Sequence, residues 1–324
     1  MSSRTLLRWI LLVQALAALG IGAAGMRWLG LTGWQAAALG LGSVALVRLV
    51  INVNNFLLSA RAASPTPPAF QIAPGAALRM AWEEFSTSML MTSWHMPRAQ
   101  ARTRLHPGAA APPVLLVHGY GCNSGYWAYL APLLDAARIS HATLDLEPLT
   151  GDIDGYAARI EEAAGQLCAQ AGAAQLIVVA HSMGGLAARA WMRTHGAGRV
   201  ARLITLGTPH HGTCLAAFGL GINAGQMRRM GVAGPDCAWL TALAGGEAPE
   251  IRARIVSIYS HHDNIIAPQT SSELPGARNL ALGGVGHVAL GRNPRVLAMV
   301  MGEIEALRSD RAAPAATPHR RGIT

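Results

Sequence analysis

The chain has 324 residues, 51% of them hydrophobic and only 13% charged, enough for one large domain plus additional segments. Its formal net charge of +9 comes from 26 basic residues, every one an arginine, against 17 acidic ones. The arginines are scattered and no nucleic-acid-binding motif accompanies them. That argues against nucleic acid as a partner and for attraction to an anionic membrane face.

No charge lies between Arg8 and Arg27, or between Arg27 and Arg48. Each gap is long enough to cross a bilayer as a helix. Trp9, Trp28 and Trp34 fall near the expected water–lipid boundaries, and a short link around Gly30 to Gly33 joins the two segments. Residues 1–60 are therefore expected to form a transmembrane helical hairpin, with helices at about 6–26 and 33–50 and the lipid bilayer as partner. Two other readings stay open: a signal peptide in the first segment, and an apolar helix pair docked on the domain. The first segment is long for a signal peptide and no clear Ala-x-Ala site follows it. Arg4, Arg8, Arg48 and Arg61 would share one end of the hairpin and Arg27 the other. The positive-inside rule then puts the globular part on the cytoplasmic side of a bacterial inner membrane. It becomes periplasmic if the second segment does not span. Asn52, Asn54 and Asn55 mark where the second helix is expected to leave the hydrocarbon.

Residues 61–111 are expected to hold a stiff linker (Pro65, Pro67, Pro68, Pro74) and a helix around Ala76–Trp94. Strands and helices then alternate. Strands are expected at Val114–Val117, Ala142–Leu146, Leu176–Ala180, Leu203–Leu206, Ile255–Tyr259 and Asn279–Leu282. Helices are expected at Trp127–Ala137, Ile153–Ala171, after Ser182, and at Val296–Arg308. Such alternation gives an α/β architecture, a mostly parallel sheet with helices on both faces, over residues 112–308. Residues 210–249 break the pattern and read as a lid-like insert or a static decoration. The tail, 309–324, reads as disordered. None of the four cysteines has metal-ligand spacing. Cys168 reads as core, and Cys214 and Cys237 flank the insert, where either a disulfide or two free thiols fits.

The chemistry centres on Ala180-His-Ser182-Met-Gly184, set between an apolar strand run and a helical run. A serine on a sharp strand-to-helix turn with small residues two positions either side is a nucleophile elbow. The turn brings backbones together, so bulky side chains at 180 and 184 would collide with neighbouring elements. Ser182 needs a base, and the base an orienter. In elbow proteins the acid follows the serine and the histidine comes last. His287, in Gly283-Gly-Val-Gly-His287 after the last strand, takes the base role. Asp263 directly follows strand Ile255–Tyr259 and takes the acid role, in preference to Glu273, with Asp145 as fallback. Asp152 and Asp154 read as helix-capping residues. The developing oxyanion is expected to meet the backbone N–H groups of Met183 and Tyr120, the latter in the loop His118-Gly-Tyr120-Gly121. His118, Gly119 and His181 read as structural.

Together, Leu116-Val-His-Gly-Tyr120, Ala180-His-Ser-Met-Gly184, Leu206-Gly-Thr-Pro-His-His-Gly212, Asp263 and Gly286-His287 resemble the bacterial lipase/esterase branch of the α/β-hydrolase superfamily. The resemblance covers about residues 112–307. It implies the α/β-hydrolase fold, a carboxylic ester hydrolase of triacylglycerol-lipase type, an ester or lipid substrate, and a lid near a long-chain site. The hairpin lies outside the resemblance and departs from secreted lipases, and together the two readings give the expectation of a membrane-anchored enzyme. Some secreted relatives bind calcium through an aspartate just after the histidine. Here Val288-Ala-Leu290 follows, so neither a metal nor a cofactor is expected. An acyltransferase or thioesterase on the same triad, or a catalytically silent membrane scaffold, are the alternatives.

Overall fold

The computed structural model describes residues 2–109 and 111–312. Seven strands form one sheet in the order β1-β3-β2-β4-β5-β6-β7. They are β1 Thr103–Arg104, β2 Val114–Val117, β3 His141–Leu144, β4 Leu176–His181, β5 Val200–Leu206, β6 Ile255–Ser260 and β7 Arg278–Leu282. All neighbours pair in parallel except β1, which runs antiparallel to β3 at the edge. β2, β4 and β6 are buried at every position, as strands covered on both faces must be.

One face packs against the helices Ala157–Ala171 and Met183–His195, through side chains such as Ile160, Leu167, Leu186 and Trp191. The other packs against Ser124–Ala128, Ala131–Ala136 and the closing helix Pro294–Ala312. The expected helix 127–137 is thus two pieces. Pro132 cannot sit inside a helix but is tolerated in its first turn, so the second piece begins at Ala131. The two-residue β1 is too short to leave a periodicity signal. The closing helix runs to Ala312, four residues beyond its expected end, and the rest of the tail, 313–324, lies outside the described residues.

The N-terminal hairpin consists of α1 (Ser3–Leu29) and α2 (Gly33–Ala60), both long and apolar enough to cross a membrane by length and composition. Their contact is built from small residues. Gly22, Gly25, Ala36 and Gly40 are buried between them, whereas Trp9, Leu16, Leu19, Leu41 and Val50 point outward and are exposed. A Cβ at Gly22 would stand 2.9 Å from the Ala36 carbonyl oxygen, so the backbones approach as closely as glycine permits. Small residues inside and large apolar ones outside let the two helices pack by tight van der Waals contact.

The second helix extends ten residues past its expected end at 50. At 1.5 Å per residue its 28 residues reach about 42 Å, more than the ~30 Å of hydrocarbon in a bilayer. Its last turns lie on the globular domain. Helix α3 (Pro74–Leu90), extended by one wider π turn at Met91–His95, lies between hairpin and domain. Arg48, within the apolar α2, donates from Nε to Gln14 Oε1 (3.0 Å) and from Nη1 to Ser93 Oγ (2.7 Å) and Thr92 Oγ1 (3.2 Å). A charge in an apolar helix requires such partners, and here they join α1, α2 and the end of α3 at one point. The linker is also held: Ser64 N–H donates to Gln269 Oε1 at 3.0 Å.

Candidate active site

Parallel strands deliver their following loops to one edge, and that edge is the site. Loops after β2, β4, β6 and β7 carry Tyr120, Ser182, Asp263 and His287. Ser182 has φ 54° and ψ −127°, a conformation that a non-glycine residue adopts only under strain of about 1–3 kcal/mol. Three contacts hold the turn. Ser182 N–H donates to the Leu206 carbonyl at 2.9 Å, and Thr208 Oγ1 donates to the Ser182 carbonyl at 2.9 Å. Gly184 lies so close to β2 that a Cβ would stand 2.6 Å from the Val117 carbonyl oxygen. The helix Met183–His195 begins immediately after the serine, so the Met183 N–H faces the same edge without a helical acceptor.

Asp263 and His287 meet directly, with His287 Nδ1 2.7 Å from Asp263 Oδ2, both side chains buried. The other carboxylate oxygen of Asp263 accepts the N–H groups of Ile265 (2.8 Å) and Ile266 (2.7 Å). These bonds fix the carboxylate plane and leave one oxygen for the imidazole. Ser182 is tied to the pair through its neighbours. Gly207, next to the Leu206 carbonyl that receives the Ser182 N–H, has φ 55°, and a Cβ there would stand 3.2 Å from His287 Nδ1. His181 Nε2 is 3.2 Å from the His287 carbonyl oxygen, and the His181 ring lies between Tyr126 (centroids 4.0 Å apart, stacked) and His287 (4.6 Å).

The imidazole of His287 is held above the usual histidine range. Burial pushes it down, but the charge of Asp263, its hydrogen bond and the nearby Glu84 charge outweigh that loss. His181 goes the other way, well below the usual range, because burial and the His287 charge disfavour a second cation. His118 is likewise lowered by burial; its Nδ1 hydrogen-bonds the Gly119 carbonyl at 2.9 Å, and its Nε2 accepts the Leu146 N–H, also at 2.9 Å. Both are buried and hydrogen-bonded to backbone groups.

The fallback Asp145 is elsewhere, accepting the Ser124 N–H at 2.7 Å, and Glu273 bonds the Tyr259 hydroxyl. Asp154 does not cap by its side chain; it bonds Arg193 Nη2 (2.7 Å) and Trp239 Nε1 (2.9 Å), tying the insert to the helix behind Ser182. All four cysteines are free thiols. Among the described residues, one His/Asp cluster has ligand-like spacing: His106 Nε2 lies 3.1 Å and His141 Nε2 4.0 Å from Asp135 Oδ1. It sits at the start of β3, the edge opposite to Ser182, and His106 pairs with Asp135 there.

Several side-chain contacts at the site have no signal in the sequence. The Tyr120 hydroxyl both donates to the Leu220 carbonyl (2.8 Å) and accepts the Leu220 N–H (2.9 Å), so the loop after β2 is pinned to the insert. Glu84, on α3, is buried and accepts the N–H groups of Val288 (3.0 Å) and Ala289 (2.8 Å), the two residues after His287. Burial pushes its carboxyl above the usual carboxylate range, although these N–H groups and His287 pull the other way. Asn264 Oδ1 accepts the His287 N–H at 2.9 Å. Next door, Glu83 accepts from Asn293 Nδ2 at 2.9 and 3.1 Å. The histidine loop is therefore clamped by a helix about 200 residues earlier in the chain.

A cavity of about 600 Å³ opens beside Ser182, lined by Leu215, Phe218, Met227, Ile265 and Ile266. Size and lining suit an apolar ligand. The insert, read as a lid-like segment or a static decoration, lines this cavity with two of its short pieces, Cys214–Phe218 and Ile222–Gln226.

Comparison with known proteins bears on the fold. A family profile described as alpha/beta hydrolase fold matches residues 112–230. The mature form of the Bacillus licheniformis lipase BlEst2 superimposes with a TM-score of 0.52 at 22% identity, over 63% of this chain and 97% of that one. Aspergillus fumigatus lipase B gives a TM-score of 0.52 at 22% identity, over 78% of this chain and 64% of that one. At such identities the likeness speaks to the fold.

Proposed function

This chain has the α/β-hydrolase fold, and from that premise we propose that it is a membrane-anchored serine ester hydrolase of lipase or carboxylesterase type. The observation that carries the reading is the 2.7 Å Asp263–His287 pair, whose His287 carbonyl lies 3.2 Å from Nε2 of His181, the residue preceding a serine held at positive φ on a strand-to-helix turn. His287 Nε2 removes the Ser182 proton as Oγ bonds to the ester carbonyl carbon. The resulting oxyanion accepts the N–H groups of Met183 and Tyr120. The tetrahedral species collapses with cleavage of the bond to the alcohol, which leaves with the proton from His287. Water then attacks the acyl-Ser182 ester, giving its proton to His287, which returns it to Ser182 Oγ as the acyl–Oγ bond breaks and the carboxylic acid departs. Asp263 holds the imidazole tautomer and stabilises its cation throughout. No cofactor is required by these steps.

A fluorophosphonate probe should add covalently to the peptide containing Ser182, and to no other serine, on mass spectrometry. Absence of that adduct would overturn the serine-hydrolase reading and favour a silent scaffold. Product analysis with competing alcohols or thiols separates hydrolysis from acyl transfer.

The anchor reading rests on the apolar hairpin, with Arg4 and Arg8 at the start of α1, Arg48 in the second half of α2 and Arg61 just past its end. Arg8 Nε donates to the Pro97 carbonyl at 2.9 Å and Arg48 Nη1 to Ser93 Oγ at 2.7 Å, both in the segment that leads into the globular domain, so these two arginines lie at the domain's end of the hairpin. With Arg27 alone at the other end, the domain belongs on the cytoplasmic side of a bacterial inner membrane. Protease added to intact spheroplasts should spare the domain and should digest it after lysis. Digestion before lysis would place it in the periplasm.

A further inference from the structure

The cavity beside Ser182 is not closed by the hydrolase domain alone. Asn54, Asn55 and Leu58, from the last turns of α2, form part of its wall, facing Tyr120 and Phe218. We propose that this wall makes the hairpin part of the substrate site, and that the substrate is a long-chain acyl ester of a bilayer lipid that passes from the membrane into the cavity along α2. This rests on the serine-hydrolase reading above and adds to it the substrate class and its route.

Three observations support it. First, the length of α2 sets the height of the site. If the hydrocarbon begins near Gly33, its ~30 Å is crossed by about residue 52, with Arg48 one turn before the exit and held there by Gln14, Thr92 and Ser93, and residues 54–58 emerge at the headgroup level. Ser182, on the same cavity, is then near the plane where lipid ester bonds lie. Second, the cavity mouth is apolar on its outside as well. Phe218, which lines the cavity, is 71% exposed, and its neighbours Leu220 and Ile222 are 74% and 62% exposed. Large exposed apolar groups on a segment that covers a site mark a surface meant for something other than water. Third, the wall is fixed in position. Arg48 anchors α2 to α3, and Glu84 of α3 bonds the loop of His287, so the wall and the imidazole share one support. A chain moving from the bilayer to this cavity along α2 keeps its methylenes against apolar surface; a chain arriving through water does not.

The test uses the full-length protein in vesicles of phosphatidylethanolamine and phosphatidylglycerol. Two alkyl fluorophosphonates, one with a short chain and one with a hexadecyl chain, label Ser182, and the ratio of their rates is measured. Leu58→Trp fills the hairpin end of the cavity and should lower the long-to-short ratio at least tenfold. Asn55→Trp, from the adjacent turn, should act in the same direction. A ratio cancels any general loss of folded protein. In a second arm, phosphatidylglycerol with a diazirine at the end of one acyl chain should crosslink to the peptide containing residues 54–58. Ratios within twofold of wild type in both variants, with no such crosslink, would overturn the inference while leaving Ser182 labelling intact. No labelling of wild type by either probe would remove the serine-hydrolase reading, and this inference with it.

Discussion

Ser182→Ala is expected to lower the turnover of p-nitrophenyl esters by about 10⁴- to 10⁶-fold, while the far-ultraviolet circular dichroism and the melting temperature stay close to wild type. The size follows from the chemistry. Without Oγ there is no acyl-enzyme, and what remains is the binding cavity and the oxyanion N–H groups, which act only weakly without a nucleophile. The fold should be indifferent. The bonds that hold the elbow are made by the Ser182 backbone, whose N–H reaches Leu206 and whose carbonyl receives Thr208. Alanine keeps all of these and the same positive φ, with no larger side chain to place. Activity within tenfold of wild type would mean another nucleophile does the work.

The second expected result concerns Glu84, which is too far back in the chain to be suspected from motif order. Glu84→Gln should lower kcat by about 10²-fold, with a KM change of less than about threefold. The carboxylate accepts two backbone N–H groups, those of Val288 and Ala289. A glutamine amide can accept only one and turns its own NH₂ toward the other. A buried donor left without an acceptor costs about 1–3 kcal/mol, enough to displace the loop that carries His287. Glu84 is thus a positioning residue, and a displacement of about 1 Å at a proton-transferring group is worth about two orders of magnitude in rate.

The pH profile separates positioning from general loosening. His287 acts as base only when neutral, and its pKa is raised. The rate should therefore fall as pH drops through that raised value and should level off above it. Glu84 is one of the charges that raise it. Removing that charge should move the acid limb to lower pH even as the plateau drops. A lower plateau with an unmoved limb would limit Glu84 to holding the loop, without an electrostatic part.

What was readable along the chain was whatever a short stretch of residues decides for itself. Uninterrupted apolar runs gave away two long helices and the buried strands, because burial on both faces admits no polar alternation. The elbow was legible because a strained turn between a strand and a helix tolerates few residue types, and the order Ser182, Asp263, His287 narrowed the partners of the serine. Beyond that, distance along the chain hid the answer. Glu84 and Ala289 are 205 positions apart, and Tyr120 and Leu220 are 100 apart, so no local pattern links them. The last turns of α2 carry three asparagines, which look like an exit from lipid; only the packed domain turns Asn54 and Asn55 into the wall of a cavity. Local sequence sets backbone conformation through sterics and periodicity. Which loops and helices share a site is decided by how the sheet, its helices and the hairpin bury one another, and that exists only in the folded chain.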